Sequence, residues 1–204
     1  QHNKAQIAIE TELLEVLAQG ERSVEALAAR SGQSFANTSQ HLQQLRRAGL
    51  VETRREGKHV VYRLKGDAVL TLMTALRQVA ERNLAEVQQI VAAYFTARDS
   101  LDAISRQDLL RRVAEGDVIV LDVRPEDEFV AGHLPGAINV PVASLDRVMA
   151  SLPRDKEIVA YCRGPYCVLS FDAIEALRAR GYRARRLEDG FPEWKAAGLA
   201  VEAA

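Results

Sequence analysis

Both cysteines of this 204-residue chain fall within six residues, Cys162-Arg163-Gly164-Pro165-Tyr166-Cys167. A strand-like run, Ile158 to Tyr161, precedes them, and a helix-like run begins near Leu169. A strand–loop–helix brings backbone N–H groups and a helix N-terminus together at the first cysteine. That environment stabilises a thiolate, the nucleophilic form of the residue. Arg163 adds a positive charge beside Cys162. Pro165 has no N–H, so the cradle from Arg163 to Leu169 is one donor short. Cys167 can meet Cys162 across the loop if their Cα atoms lie within roughly 4.4–6.8 Å; the sequence leaves open whether they bond. Two neighbouring thiols and no others point to a reducing compartment and a redox or nucleophilic role rather than a disulfide scaffold. Two small buried residues are the plainer alternative, against which the Gly-Pro between them marks an ordered turn.

The second set of residues with chemical potential is polar and basic. A helix capped by Ser34 presents Asn37, Thr38, Ser39, Gln40, His41, Gln43 and Gln44, donors and acceptors suited to base edges and phosphates in a major groove. Behind it, Arg54, Arg55, Lys58 and His59 flank a turn and would lie on the phosphates. Residues 41–65 hold seven Lys/Arg against two Asp/Glu, on a chain whose net charge is only −1. Such a patch is either phosphate-facing or an ordinary solvated surface.

These residues need elements to position them. Helical spacing covers 5–18 (Ile9, Leu13, Leu14, Leu17) and ends at Gly20. Ser23 caps a helix over 24–30, Ser31-Gly32 turns the chain, and the Ser34 helix runs to Ala48, with Leu42 and Leu45 inward. Leu50–Thr53 and Val60–Leu64 are predicted strands with Gly57 in the turn between them. One long helix is predicted over 67–96, with Val69, Leu72, Leu76, Val79, Val87, Ile90 and Tyr94 as an apolar seam and Asn83 upon it. At 1.5 Å per residue it spans roughly 45 Å. That is more than a small domain covers, so a second copy or the second domain must bury it.

After about residue 100 the pattern alternates strand and helix: strand 118–123, helix 126–131, helix 145–151, strand 158–161, helix 169–180 and strand 184–187. This predicts a parallel sheet with helices on both faces. The fold class is therefore two domains: a helix-rich α+β domain over 1–99 and an α/β domain over 100–204. No apolar run approaches the ~18–20 residues of a bilayer span, and no signal peptide is visible, so a cytoplasmic location without membrane contact is expected.

Ser34 to Val51 (SFANTSQHLQQLRRAGLV) with the following hairpin (RREGKHVVYRL) resembles the winged helix-turn-helix domain of ArsR-type bacterial repressors, over about residues 5–95. The resemblance implies a homodimer bound to a palindromic double-stranded operator and released by a signal; the length and seam of the 67–96 helix make it the expected dimer element. Metal-sensing members carry cysteines in or before the recognition helix, or ligands at the dimer helix. Residues 1–100 here contain no cysteine and only His2, His41 and His59, so no metal site of that kind and no cofactor is expected.

LDVRPEDEFVAGHLPGAINVP, YCRGPYCVLS and LEDGFPEWKAAG resemble the rhodanese domain, over about 103–204. The resemblance makes Cys162 the sulfur-accepting cysteine. It matches Asp122 and Arg124 to the first-strand Asp-x-Arg, His133 and Gly136 to a Gly-His-x-x-Gly turn, and Trp194 to a terminal aromatic. A related branch that handles phosphate or arsenate closes its loop with an arginine six positions after the cysteine. Val168 stands there, which disfavours that chemistry. Cys167 is unusual for a plain sulfurtransferase and points to a dithiol switch. Three functions stay open: a dimeric repressor sensing reactive sulfur or oxidant through Cys162, Cys167 and Arg163; a sulfurtransferase with the winged helix for dimerisation or targeting; and a sensor of a thiophilic metalloid. A small sulfur donor or anion at the Cys162 loop is the expected ligand.

Overall fold

The computed structural model describes residues 2–90 and 103–203. The chain divides after Met73 into two compact units. The boundary expected near residue 100 lies in 91–102, outside the described residues.

The first unit opens with α1 (His2–Ala18), a two-residue strand β1 (Arg22–Ser23), α2 (Val24–Ser31) and α3 (Phe35–Arg47). Local chemistry sets the starts and stops. The hydroxyls of Ser23 and Ser34 accept from the N–H groups of Ala26 and Asn37, capping α2 and α3, while Gly32 ends α2 in the left-handed conformation at φ +64°. β2 (Val51–Glu56) and β3 (His59–Leu64) form an antiparallel hairpin, and β1 adds to β3, giving the order β1-β3-β2. The strands are longer than expected: Arg54 and Arg55 pair opposite Val61 and Val60 within the ladder instead of lying in the turn. Leu13, Leu17, Val24, Leu27, Leu42, Leu45, Val51 and Tyr62 form the core.

α4 (Asp67–Asn83) follows, then α5 (Ala85–Ile90). The single helix expected over 67–96 is thus interrupted at Leu84. The interruption is slight, since Leu84 N–H still reaches the Ala80 carbonyl and Gln88 N–H the Leu84 carbonyl. Tyr94 and the rest of 91–96 lie outside the described residues. On α4, Val69 is buried, whereas Leu72, Leu76 and Val79 are 55%, 64% and 56% exposed.

The second unit contains α6 (Arg106–Glu115), β4 (Val118–Asp122), α7 (Glu126–Ala131), β5 (Ile138–Asn139), α8 (Val142–Val148), β6 (Glu157–Tyr161), α9 (Val168–Ala179), β7 (Ala184–Arg186) and α10 (Phe191–Ala196). The four strands are all parallel, in the order β5-β4-β6-β7. Neither α6 nor β5 was expected. Side-chain alternation along β6 feeds two cores. Ile158, Ala160 and then Cys162 join Leu145, Met149, Ala173, Ile174 and Leu177 on one face. Val159 and Tyr161 join Leu109, Leu134, Phe191 and Trp194 on the other. Cys162 therefore keeps the parity of β6 and turns toward α8 and α9. No helix among the described residues is long and apolar enough to cross a membrane.

Candidate functional site

The cysteine loop connects the end of β6 to the start of α9, in the place expected of it. Cys162 is 1% exposed, and Cys167 stands at the N-cap of α9. The two are joined as a disulfide, with Cα atoms 6.1 Å apart. The loop is curled tightly enough for this: Cys167 N–H donates to the Gly164 carbonyl at 3.2 Å, and the Ser170 hydroxyl donates to the Cys167 carbonyl at 2.8 Å.

Among the groups that hold the loop, three were missed by sequence reasoning as parts of the site. Arg163 is clasped by Glu128 of α7: its Nε lies 3.1 and 3.0 Å from the two carboxylate oxygens and its Nη2 2.6 Å from Oε1. Hydrogen bonding to Glu128, outweighing burial, raises the pKa of this guanidinium above its ordinary value. Phe191 N–H donates to the Cys162 carbonyl at 3.0 Å. Gly190 lies so close that a Cβ there would overlap the Gly164 backbone and the Arg163 carbonyl carbon. The absence of a side chain at Gly190 is thus a packing requirement. Glu128 and Gly190 stand 35 and 26 residues from their partners, and no local spacing announces either contact.

Beneath the loop, on the opposite face of β6, lies a buried polar cluster. Asp122 and Arg124 are both 0% exposed. Arg124 bonds both Asp122 oxygens (Nε–Oδ1 3.0 Å, Nη2–Oδ2 2.6 Å), donates to the Gly132 carbonyl at 2.7 Å, and lies 4.2 Å from the Phe191 ring centroid. The Tyr161 hydroxyl donates to Asp122 at 2.5 Å and accepts from Leu134 N–H at 3.1 Å. Burial, then the charge of Asp122, pushes the Tyr161 hydroxyl pKa upward. His133 stacks on Phe129 with centroids 3.8 Å apart, and its backbone pairs with Glu202. Trp194 is buried and donates its indole N–H to the Ala200 carbonyl at 2.9 Å. Asp122, Arg124 and Tyr161 fix the end of β6 from which the loop departs.

In the first unit α3 carries the polar set. Ser34, Gln40 and Gln43 are exposed; Asn37, Ser39 and Gln44 are partly so. Asn37 donates to the Gln33 side chain at 2.8 Å, and Gln44 accepts from Gln6 at 2.6 Å. Thr38 and His41 depart from the outward role expected of them. Thr38 is 0% and His41 8% exposed, because positions 38, 41, 42 and 45 form the inward stripe of α3. His41 Nδ1 lies 3.2 Å from a Glu10 oxygen. Of the wing cations, Arg55, Lys58 and His59 are exposed. Arg54 is engaged by Glu21, with its Nε 3.0 and 2.9 Å from the two carboxylate oxygens.

Two family models match the chain: the arsR family of bacterial regulatory proteins over residues 11–53, and the rhodanese-like domain over 105–197. The HTH-type transcriptional regulator Rv0324 of Mycobacterium tuberculosis is 47% identical over 191 residues, 94% of this chain and 84% of that protein. A sulfurtransferase of Allochromatium vinosum is 30% identical over 105 residues, 50% of this chain and 96% of that protein. Among solved structures, the homodimeric winged helix-turn-helix DNA-binding domain (fragment 1–100) of a Mycobacterium bovis protein is 39% identical, covering 41% of this chain and 79% of that one with a TM-score of 0.37.

Proposed function

Because this chain belongs to the arsR family of bacterial regulatory proteins and carries a C-terminal rhodanese-like domain, we propose that it is a dimeric, cytoplasmic repressor whose hold on its operator follows the sulfur state of Cys162 and Cys167. The observation that carries this reading is the pairing of Cys162 with Cys167 inside a single loop of a transcription regulator. In the reduced protein the Cys162 thiolate attacks the outer sulfur of a persulfide, R–S–S⁻. The donor S–S bond breaks, RS⁻ leaves, and Cys162 becomes a persulfide. Cys167 then attacks Cys162 Sγ, displacing the added sulfur as HS⁻ and closing the internal disulfide. A low-molecular-weight thiol, by two successive exchanges, reopens it. Closing and opening reshape the backbone from Gly164 to Ser170, which is the loop's means of signalling.

DNA contact would come from the exposed side of α3, through Ser34, Asn37, Ser39, Gln40 and Gln44, with Arg55 and Lys58 on the phosphates. The exposed stripe Leu72, Leu76 and Val79 on α4 supports a second copy as its cover.

Intact mass and operator binding, followed together after a polysulfide pulse, test this. Wild type should gain the internal link and change its affinity for the operator. Cys162→Ser should do neither. Cys167→Ser should retain a persulfide on Cys162 without the link. If Cys167→Ser changes operator affinity as wild type does, the second thiol is no part of the switch.

One observation favours a second reading. The likeness to the Allochromatium vinosum sulfurtransferase runs over nearly that whole protein, which fits a sulfurtransferase with the winged helix serving dimerisation or targeting. Sustained thiosulfate:cyanide turnover without any change in operator binding would select it.

A further inference from the structure

Arg163 is the only basic side chain between Cys162 and Cys167, and its charge is not offered alone. Its guanidinium is held by both oxygens of Glu128, a carboxylate 1% exposed. A charge that deep is costly unless paired, so the two groups fix one another. Asp127, the preceding residue and exposed, acts on the same guanidinium through space. Arg163 therefore faces two carboxylates from the first turn of α7, and Arg77, whose guanidinium comes near Gly164 of the same loop, is likewise paired, with the buried Glu193 at 2.5 Å. The nearby Arg124 is committed to Asp122, and Arg186 stacks on Phe171 while donating to the carbonyls of Leu187 and Glu188.

We propose that Glu128 is a specificity-determining residue for the sulfur donor: by offsetting Arg163, it makes the Cys162 loop discriminate against small dianions such as thiosulfate and in favour of neutral or singly charged persulfides. This rests on Cys162 being the sulfur-accepting thiol. The two competing reactions balance alike. With a persulfide, the thiolate takes the outer sulfur and RS⁻ leaves. With thiosulfate, it takes the sulfane sulfur and sulfite leaves. The acceptor product is the same, so only the charge of the incoming donor separates them. Glu128 acts through Arg163, as a positioning residue.

The experiment uses the full-length, thiol-reduced chain with Cys167→Ser, so that one added sulfur is retained and counted by intact mass. The probes are sodium thiosulfate and cysteine hydropersulfide. Glu128→Gln should raise the rate ratio of thiosulfate to hydropersulfide about tenfold, the effect of one unit charge over several ångström near a protein surface. Asp127→Asn, an exposed change that leaves packing intact, should raise it in the same direction by about two- to threefold, as solvent screens it more. Adding Arg163→Met to Glu128→Gln should cancel the gain, which a merely structural role for Glu128 would not do. If Glu128→Gln does not fold, Asp127→Asn and the salt dependence without either substitution decide. Between ~50 mM and ~0.5 M salt the thiosulfate rate should stay level or rise; a steep fall would reveal an available cation and overturn the proposal. An unchanged ratio in both acid variants overturns it as well, while leaving Cys162 as acceptor. If neither donor modifies Cys162 in the reduced protein, the sulfur-acceptor reading fails too.

Discussion

Tyr161 places its hydroxyl 2.5 Å from Asp122, on the same carboxylate oxygen that Arg124 grips at 2.6 Å. The last residue of β6 and the last residue of β4 are thereby locked side by side, one residue before Cys162. The Tyr161 proton is held more tightly in the folded protein than in the unfolded chain. A group with a raised folded pKa contributes its stability fully below the unfolded pKa and loses it as pH rises past that value.

Tyr161→Phe should therefore lower stability by about 1–3 kcal/mol at neutral pH, since it strips a hydrogen bond from a buried carboxylate. The gap between wild type and variant should narrow above roughly pH 10, where the unfolded tyrosine ionises. Asp122→Asn should cost more, about 3–5 kcal/mol, because it leaves the fully buried Arg124 without its counter-charge. Calorimetric scans across pH check all three statements; a gap that widens in alkali would contradict the assignment.

Gly190→Ala inserts a methyl where the Gly164 backbone already stands. The loop must move, at a cost of about 1–3 kcal/mol in overpacking, and alkylation of reduced Cys162 should change rate. Circular dichroism melts and timed alkylation read the two effects. Equal rates and melting points in variant and wild type would mean the loop does not rest on this segment.

On the DNA side, Gln40→Ala should reduce discrimination for the operator by about 1–3 kcal/mol if Gln40 pairs with a base edge. Arg55→Ala and Lys58→Ala should weaken all DNA and lower the salt slope by about one each. Arg54→Ala should change that slope less than either, because its guanidinium is engaged by Glu21. Fluorescence anisotropy at several salt concentrations separates the three; identical slopes for Arg54, Arg55 and Lys58 variants would place Arg54 on phosphate after all.

Leu76→Glu puts a charge in the middle of the exposed α4 stripe, 64% exposed in the single chain. If a second copy covers that stripe, the buried charge should give monomers at micromolar concentration. Sedimentation velocity measures it. A wild-type chain that is itself monomeric would remove the basis for the dimer.

The readable parts of this fold were those with a local cause. Ser23 and Ser34 announced their helices by capping chemistry, and the 126–131 helix stands at its expected residues. The apolar run ahead of Cys162 became one of the two interior strands, because an all-apolar strand must have helices on both faces. Thr38 and His41 show where reading by polarity misleads: both are polar, yet they share the helical phase of Leu42 and Leu45 and point inward. Phase, not side-chain chemistry, carried the information there. The remaining gaps are non-local. Glu128 on Arg163, Glu21 on Arg54 and Gly190 against Gly164 join residues 26 to 35 apart, and each contact exists only once the chain has folded.

Trp194 is the only tryptophan of the chain, and its position turns it into an optical gauge. It sits in α10, whose first residue is bonded through its N–H to the carbonyl of Cys162. Any strain that a sulfur adduct puts on Cys162 is one backbone bond and one helical turn from a buried indole. Ultraviolet emission from that ring thus offers a label-free clock for events at the loop. In a rapid-mixing trace beside labelled DNA, it would put any reaction at the loop and any change in operator binding on one time axis.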